Sequence, residues 1–230
     1  PAPDGPPGVA VGAADGSLWV GGLAGAAALG GGGGPPAAGP VEPAVPWLGA
    51  RLHEAGVNDL SVHPSWGRRE GRLLVATAGD DQQIGILALA FDARPGGGIE
   101  ARLLASRRLA HAHASSVRAL CWASDRLLSV GLDRRLRVWA LREAAAGDGD
   151  SACPELLEAA PAHVTLCTEP TAIAVAAPPA PGPSGAGQSW PLACAGRGVE
   201  LAALLPDGRE GGGGGGGAPA PGSAIAPEAG

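Results

Sequence analysis

The chain contains no methionine, no tyrosine and no lysine, and all 16 of its basic residues are arginine. Without lysine there is no phosphate-loop signature. The glycine runs at 30–34 and 211–217 lack the flanking strand, the Lys and the Ser/Thr that such a loop needs. Cysteine is scarce: Cys121, Cys153, Cys167 and Cys194 form no C-x-x-C pair and no zinc spacing. Free buried thiols in a reducing compartment are therefore expected. No apolar run approaches the length that spans a bilayer, and nothing resembles a signal peptide. A cytoplasmic location without a membrane partner is the expectation. The absent initiator Met, and a first strand that starts inside a pattern, lead us to expect the C-terminal part of a longer protein.

Glycine and proline are abundant instead, 40 and 23 of 230 residues. A share just above a quarter marks low-complexity segments that cannot bury enough surface to order themselves. Ala, Gly, Pro and Arg together suit a GC-rich coding sequence better than a functional bias. The net charge of −6 hides an asymmetry. Residues 101–142 hold nine Arg against two Asp, a local charge of +7, and the remainder holds seven Arg against twenty acids, or −13. A basic segment in an acidic chain hints at phosphate or an acidic partner.

That basic segment contains the most regular stretch, residues 113–141. Val117 to Trp122, Leu127 to Val130 and Leu136 to Leu141 read as three successive strands. Their near-continuous apolar character fits strands covered on both faces. Asp133 sits in the tight turn between the second and third. His113 lies four residues before Val117, Ser129 four before Asp133, and Trp139 six after it. This spacing resembles a WD repeat, whose blades bury a relay from Asp to His to Ser to the indole N–H. Ser, His and Asp also suggest a hydrolase triad. No G-x-S-x-G elbow surrounds Ser129, and Trp139 accounts for its hydroxyl, so the structural relay is the better reading.

The fold class expected is all-β: an incomplete WD-repeat β-propeller of about four blades or part-blades, with disordered Gly/Pro-rich insertions and tail. Residues 1–23 read as a partial blade with the turn Asp15-Gly16, 24–44 as a low-complexity insertion, and 45–52 as the first blade's outer strand. Residues 53–109 form a blade whose His53, Thr77 and Asp81 match His113, Ser129 and Asp133; Leu87 stands where Trp139 would. Its loop is expected at 91–98. The blade with the full relay covers 110–168, with an Ala/Gly/acidic insertion at 143–160 and an outer strand at 163–168. A degenerate last blade spans 169–205, interrupted at 178–189, with Gly196 at the turn-Asp position. Residues 206–230 read as a flexible tail. Such a set is not expected to close a stable ring alone, and its missing blades, with the strand completing the last one, are expected upstream.

Other signals are weaker. His111 and His113 make an H-x-H pair, but no third metal ligand is placed nearby. The turn pair Asp80-Asp81 serves hydrogen bonding more readily than acid chemistry. Trp139-Ala-Leu-Arg142 departs from the W-D-x-R tag of ubiquitin-ligase adaptors at Ala140. No constellation supports catalysis.

Residues 53–205 resemble the C-terminal end of the WD repeat-containing protein 6 family. The motifs that carry this are HEAGVNDLSV…LLVATAGDDQQIGILAL, AHASSVRAL…LLSVGLDRRLRVWAL and the closing ACAGRGVEL, in that order. Arg134, where the family frequently has Gln, and the long Gly/Pro insertions are departures. The resemblance implies a non-catalytic subunit that partners the tRNA wobble 2′-O-methyltransferase and helps present the anticodon loop. S-adenosylmethionine would belong to the partner enzyme, and the chain itself would need no cofactor. The rival is a generic scaffold, in signalling or a ubiquitin ligase, with no RNA role. Arg107, Arg108, Arg118, Arg134 and Arg135 are expected to gather near one rim and contact tRNA phosphate or an acidic patch on the enzyme.

Overall fold

The computed structural model describes residues 8–22, 48–67, 71–93, 99–142, 153–176, 189–204 and 225–227. The fold is all-β, four antiparallel sheets each shaped as a propeller blade. The first sheet holds β1 (Gly8–Gly12), β2 (Ser17–Gly22) and β3 (Leu48–Arg51). The second holds β4 (Val57–Val62), β5 (Arg72–Gly79), β6 (Ile84–Ala93) and β7 (Ile99–Leu109). The third runs through β8 (Val117–Ala123), β9 (Arg126–Gly131) and β10 (Arg135–Arg142), and both β11 (Glu155–Glu158) and β12 (His163–Val164) pair with β10. The fourth holds β13 (Thr168–Val175), β14 (Trp190–Leu204) and β15 (Ile225–Pro227). No helix among the described residues is long and apolar enough to cross a membrane.

The apolar runs exist because middle strands are buried on both faces, and the period of two assigns each face a neighbour. On β5, Val75 joins Leu18, Val20, Leu52, Leu87 and Leu89 between the first and second sheets. Its alternates Leu74, Ala76 and Ala78 face the third sheet, under Leu120, Trp122, Leu127 and Trp139. On β9, Leu127 faces back, while Leu128 and Val130 face forward to Leu192, Cys194, Ala202 and Leu204 of the fourth sheet. Two indoles over a row of alanines is large-on-small packing, the arrangement that fills a core without strain. Outer strand β7 instead exposes Arg102, Ser106, Arg107 and Arg108, which discourages pairing with another chain.

Several boundaries differ from the sequence reading. The third sheet's outer strand is Glu155–Glu158, inside the stretch read as insertion; of the expected 163–168 strand only His163–Val164 pairs with β10, at its other end, and Thr168 begins β13. An outer strand needs only one apolar face, so ELLE carries little periodic signal. Strand β6 continues to Ala93, pairing Phe91 with Ala101, and so takes the first part of the expected 91–98 loop. Strand β14 doubles back on itself. Leu192 and Ala193 line one small groove with Leu201 and Ala202, and Gly198 between them is left-handed at φ 116°. Its far arm pairs with Ile225–Pro227. The strand completing the last blade therefore comes from the segment read as tail, not from upstream. The insertion at 24–44, most of 178–189 and the rest of the tail lie outside the described residues.

Candidate functional site

One end of each of the first three sheets carries a turn between adjacent strands and the loop that enters the next sheet. Each turn has a left-handed residue: Gly16 (φ 85°), Gln82 (φ 68°) and Arg134 (φ 58°). Their carbonyls accept the N–H of His53 (3.2 Å), His113 (3.3 Å) and Thr165 (2.9 Å). This repeated latch makes Thr165 the counterpart of the two histidines.

In the third sheet the relay is complete. His113 Nδ1 lies 3.0 Å from Asp133 Oδ1, His113 Nε2 lies 2.8 Å from Ser129 Oγ, and Trp139 Nε1 donates to Ser129 Oγ at 2.8 Å. The ionised carboxylate only accepts, so Nδ1 carries the proton and Nε2 accepts from the serine hydroxyl. The other carboxylate oxygen accepts the Ala114 N–H at 3.0 Å, and Oδ1 also takes the Arg135 N–H at 3.1 Å. These hydrogen bonds run in the direction of a hydrolase triad. Ser129, however, is fully buried and its hydroxyl oxygen is occupied by the indole, so no substrate atom reaches it. His111, with which His113 makes the H-x-H pair, is exposed and left-handed at φ 54°. No cluster of potential metal ligands exists among the described residues.

In the second sheet His53 Nδ1 meets Asp81 Oδ1 at 2.9 Å and Nε2 meets Thr77 Oγ1 at 2.7 Å, with the Glu54 N–H on Asp81 Oδ2 at 2.9 Å. Leu87 sits buried in place of the indole.

The fourth sheet has its own relay, which sequence reasoning missed. Cys194 precedes Gly196 by two residues, as Ser129 precedes Gly131 and Thr77 precedes Gly79. Gly196 therefore occupies the glycine position, not that of the turn Asp. The carboxylate comes from Glu200, on the far arm of β14. It accepts from the Thr165 hydroxyl, from the Leu166 N–H at 2.7 Å, and bonds His163 Nε2 at 2.9 Å. Thr165 also reaches Cys194 Sγ at 3.8 Å. The Cys–x–Gly spacing was the available signal.

The five arginines do not form one cluster. Arg107 pairs with Glu155 at 3.3 Å, across to the outer strand of the third sheet, where Arg142 also binds that carboxylate. Arg108 donates to the Arg51 carbonyl at 3.1 Å. Arg118 donates to Asn58 Oδ1 at 3.3 Å and lies 3.8 Å from Asp80. There it joins a bridge in which Asn58 donates to Asp80 (2.8 Å) and the Val117 carbonyl (2.8 Å), and Asp59 accepts the Leu120 N–H (2.7 Å). Hydrogen bonds from Ser116 and Asn58 hold the Asp80 carboxyl below its usual range. Arg134 and Arg135 alone stay together at the turn, with Arg134 donating to the Thr165 carbonyl at 3.3 Å. Spacing along the chain located the end of the sheet but not these internal partners.

No protein-family model matches the chain, and no curated protein matches its sequence. Solved structures resemble it in shape. The N-terminal domain of Nup170 from Chaetomium thermophilum, solved with Nup53, has a TM-score of 0.49 at 11% identity and covers 86% of this chain. This chain spans only 25% of that one. The WD40 β-propeller domain of Doa1 has a TM-score of 0.25 at 10% identity, covering 89% of this chain and 76% of its own. At these values neither likeness bears on function.

The relays also set an acid limit. Burial holds His113 below its ordinary value, against the pull of Asp133. Burial also works to raise Asp133, but the Ala114 N–H and the His113 ring outweigh it and leave the carboxyl lowered. Asp81 and Glu200 are lowered through the same balance. A depressed folded-state pKa means that stability is complete above the unfolded-state value and lost as pH falls through the folded one. The loss begins near about pH 6.5 for His113 and near about pH 4 for the carboxylates. The urea midpoint is expected to be flat at neutral pH and to fall in two stages. His113→Gln should shrink the upper stage, leaving the share of His63, which burial also lowers. An unchanged upper stage would show that His113 is not buried neutral.

Proposed function

We propose that the chain is a non-catalytic propeller scaffold that supports 2′-O-methylation of the tRNA wobble ribose by a partner methyltransferase. The observation behind the non-catalytic part is the closed relay. Among the described residues, the serine with a histidine and an aspartate behind it, Ser129, is fully buried and bound to Trp139. Support for the methylation role is the resemblance carried by the order of the motifs, a full relay followed by a blade without the turn Asp. In this reading the methyl donor is held by the enzyme and the complex works in the cytoplasm. The scaffold orients the enzyme and its tRNA.

Deleting the gene for the whole protein and quantifying wobble 2′-O-methylribose in bulk tRNA tests this directly. The modification should fall to background, and the methyltransferase should co-purify with the tagged protein. Unchanged modification, with only kinases or ubiquitin-ligase adaptors recovered, would replace this reading with that of a general scaffold.

A further inference from the structure

The junction between the third and fourth sheets carries the strongest exposed apolar group among the described residues. Leu166 is 80% exposed, Val164 54% and Leu132 42%. The segments holding them are tied together. Thr165 is latched to Arg134, Val164 pairs with Arg135, the Leu166 N–H rests on Glu200, and Cys167 Sγ contacts the Gly198 carbonyl. Leu132, Val164 and Leu166 therefore lie together at the turn end of the third sheet.

The fold does not require them there. The position of Leu166, whose N–H meets the relay carboxylate, is Glu54 in the second sheet and Ala114 in the third. The position of Leu132, whose N–H meets the carbonyl entering β8, is Asp80 in the second sheet, bonded there to the carbonyl entering β4. The residue before the latched one is buried in the earlier sheets, Leu52 at 3% and Ala112 at 1%. Three repeat positions thus carry large, exposed aliphatic side chains at this junction and not at the earlier ones. Exposed apolar groups gathered in this way mark interaction sites.

Two arginines border this group. Arg134 and Arg135 are exposed at the turn. Aliphatic side chains bordered by arginine match the make-up of protein interfaces, apolar at the centre and polar at the rim. RNA backbones offer nothing for three aliphatics to cover, and bases are held by aromatic stacking. We propose that this junction holds a segment of a partner protein in which apolar side chains alternate with Asp or Glu. The proposal deepens the scaffold reading by locating a partner surface and stating its chemistry, and it stands apart from which partner is involved.

The test uses the full chain and labelled synthetic peptides, read by fluorescence anisotropy. A Leu/Glu peptide should bind. Ser/Glu and Leu/Lys peptides, and an anticodon stem-loop RNA, should bind about tenfold more weakly or not at all. Leu166→Asp with Val164→Asp should weaken the Leu/Glu peptide at least about tenfold, as should Arg134→Glu with Arg135→Glu. Ala114→Asp, at the matching position one sheet earlier, should leave it unchanged. The milder Leu166→Ser keeps the test open if the double variant misfolds. Absence of Leu/Glu binding, or binding indifferent to Leu166, would overturn the proposal. So would RNA binding that is lost with the arginines and kept with Leu166→Asp, or self-association that consumes the surface. Wobble methylation measured in cells carrying the same variants separates the two readings. Normal methylation with lost peptide binding keeps the surface and removes the methyltransferase as its occupant.

Discussion

Asp133→Ala is expected to lower the unfolding free energy by about 3 kcal/mol or more, because it strips a nearly buried carboxylate from several donors at once. Its side chain is 8% exposed and accepts from the His113 ring and from the N–H groups of Ala114 and Arg135. Removing it leaves the Nδ1 proton of His113 inside the protein with no acceptor. It also unties the loop entering β8 from the turn between β9 and β10. The two indoles Trp122 and Trp139 lie in the affected core, so their fluorescence follows the unfolding in urea. Asp133→Asn should cost less, since one amide oxygen still accepts. Asp81→Ala should behave like Asp133→Ala, because its carboxylate makes the matching bonds to His53, Glu54 and Gln83. A loss below about 1 kcal/mol for both alanine variants would mean that water satisfies these donors and the relay holds little.

The strands and two relays were readable in the sequence because both depend on spacing. A strand covered on both faces must be apolar throughout, as LLVATA and LLSV are. A buried histidine must meet a hydroxyl and a carboxylate at fixed offsets. What escaped has the opposite character. Glu155–Glu158 and Ile225–Pro227 are short outer strands whose partners lie beyond glycine-rich or acidic stretches, so no period announces them. Glu200 escaped because its carboxylate comes from a strand, two positions beyond the place where the other sheets keep theirs. The arginines escaped in part. Chain position predicts which end of a sheet a residue occupies, but not that Glu155 faces Arg107 from the next sheet, or that Asn58 and Asp80 hold Arg118. Those contacts depend on how one sheet is laid on another, which local pattern does not record. The exposed Leu166 breaks the pattern by being on the surface, and became legible once the latch aligned it with Glu54 and Ala114.

The glycine two residues after each relay hydroxyl gives the second large effect. A Cβ on Gly79 would sit 2.2 Å from His53 Nδ1 and 2.3 Å from Asp81 Oδ1. On Gly131 it would sit 2.7 Å from His113 Nδ1 and 2.9 Å from Asp133 Oδ1. Neither neighbour is a side-chain end free to swing away, since each ring is pinned at both nitrogens and each carboxylate at both oxygens. One methyl must therefore push the His–Asp pair apart, and overpacking on this scale costs about 3 kcal/mol. Gly79→Ala should cost more than Gly131→Ala, following the closer approach. Gly198→Ala is the contrast. Its Cβ would meet nothing within 4 Å, so its penalty is that of φ 116° alone, about 1 kcal/mol. Urea unfolding of the three variants orders the mechanisms, and the imidazole Nδ1–H proton resonance reports whether the histidine–carboxylate bond survives. If Gly79→Ala lost no more than Gly198→Ala and kept that resonance, the close approach would not be what keeps glycine there, and the turn could admit any small residue.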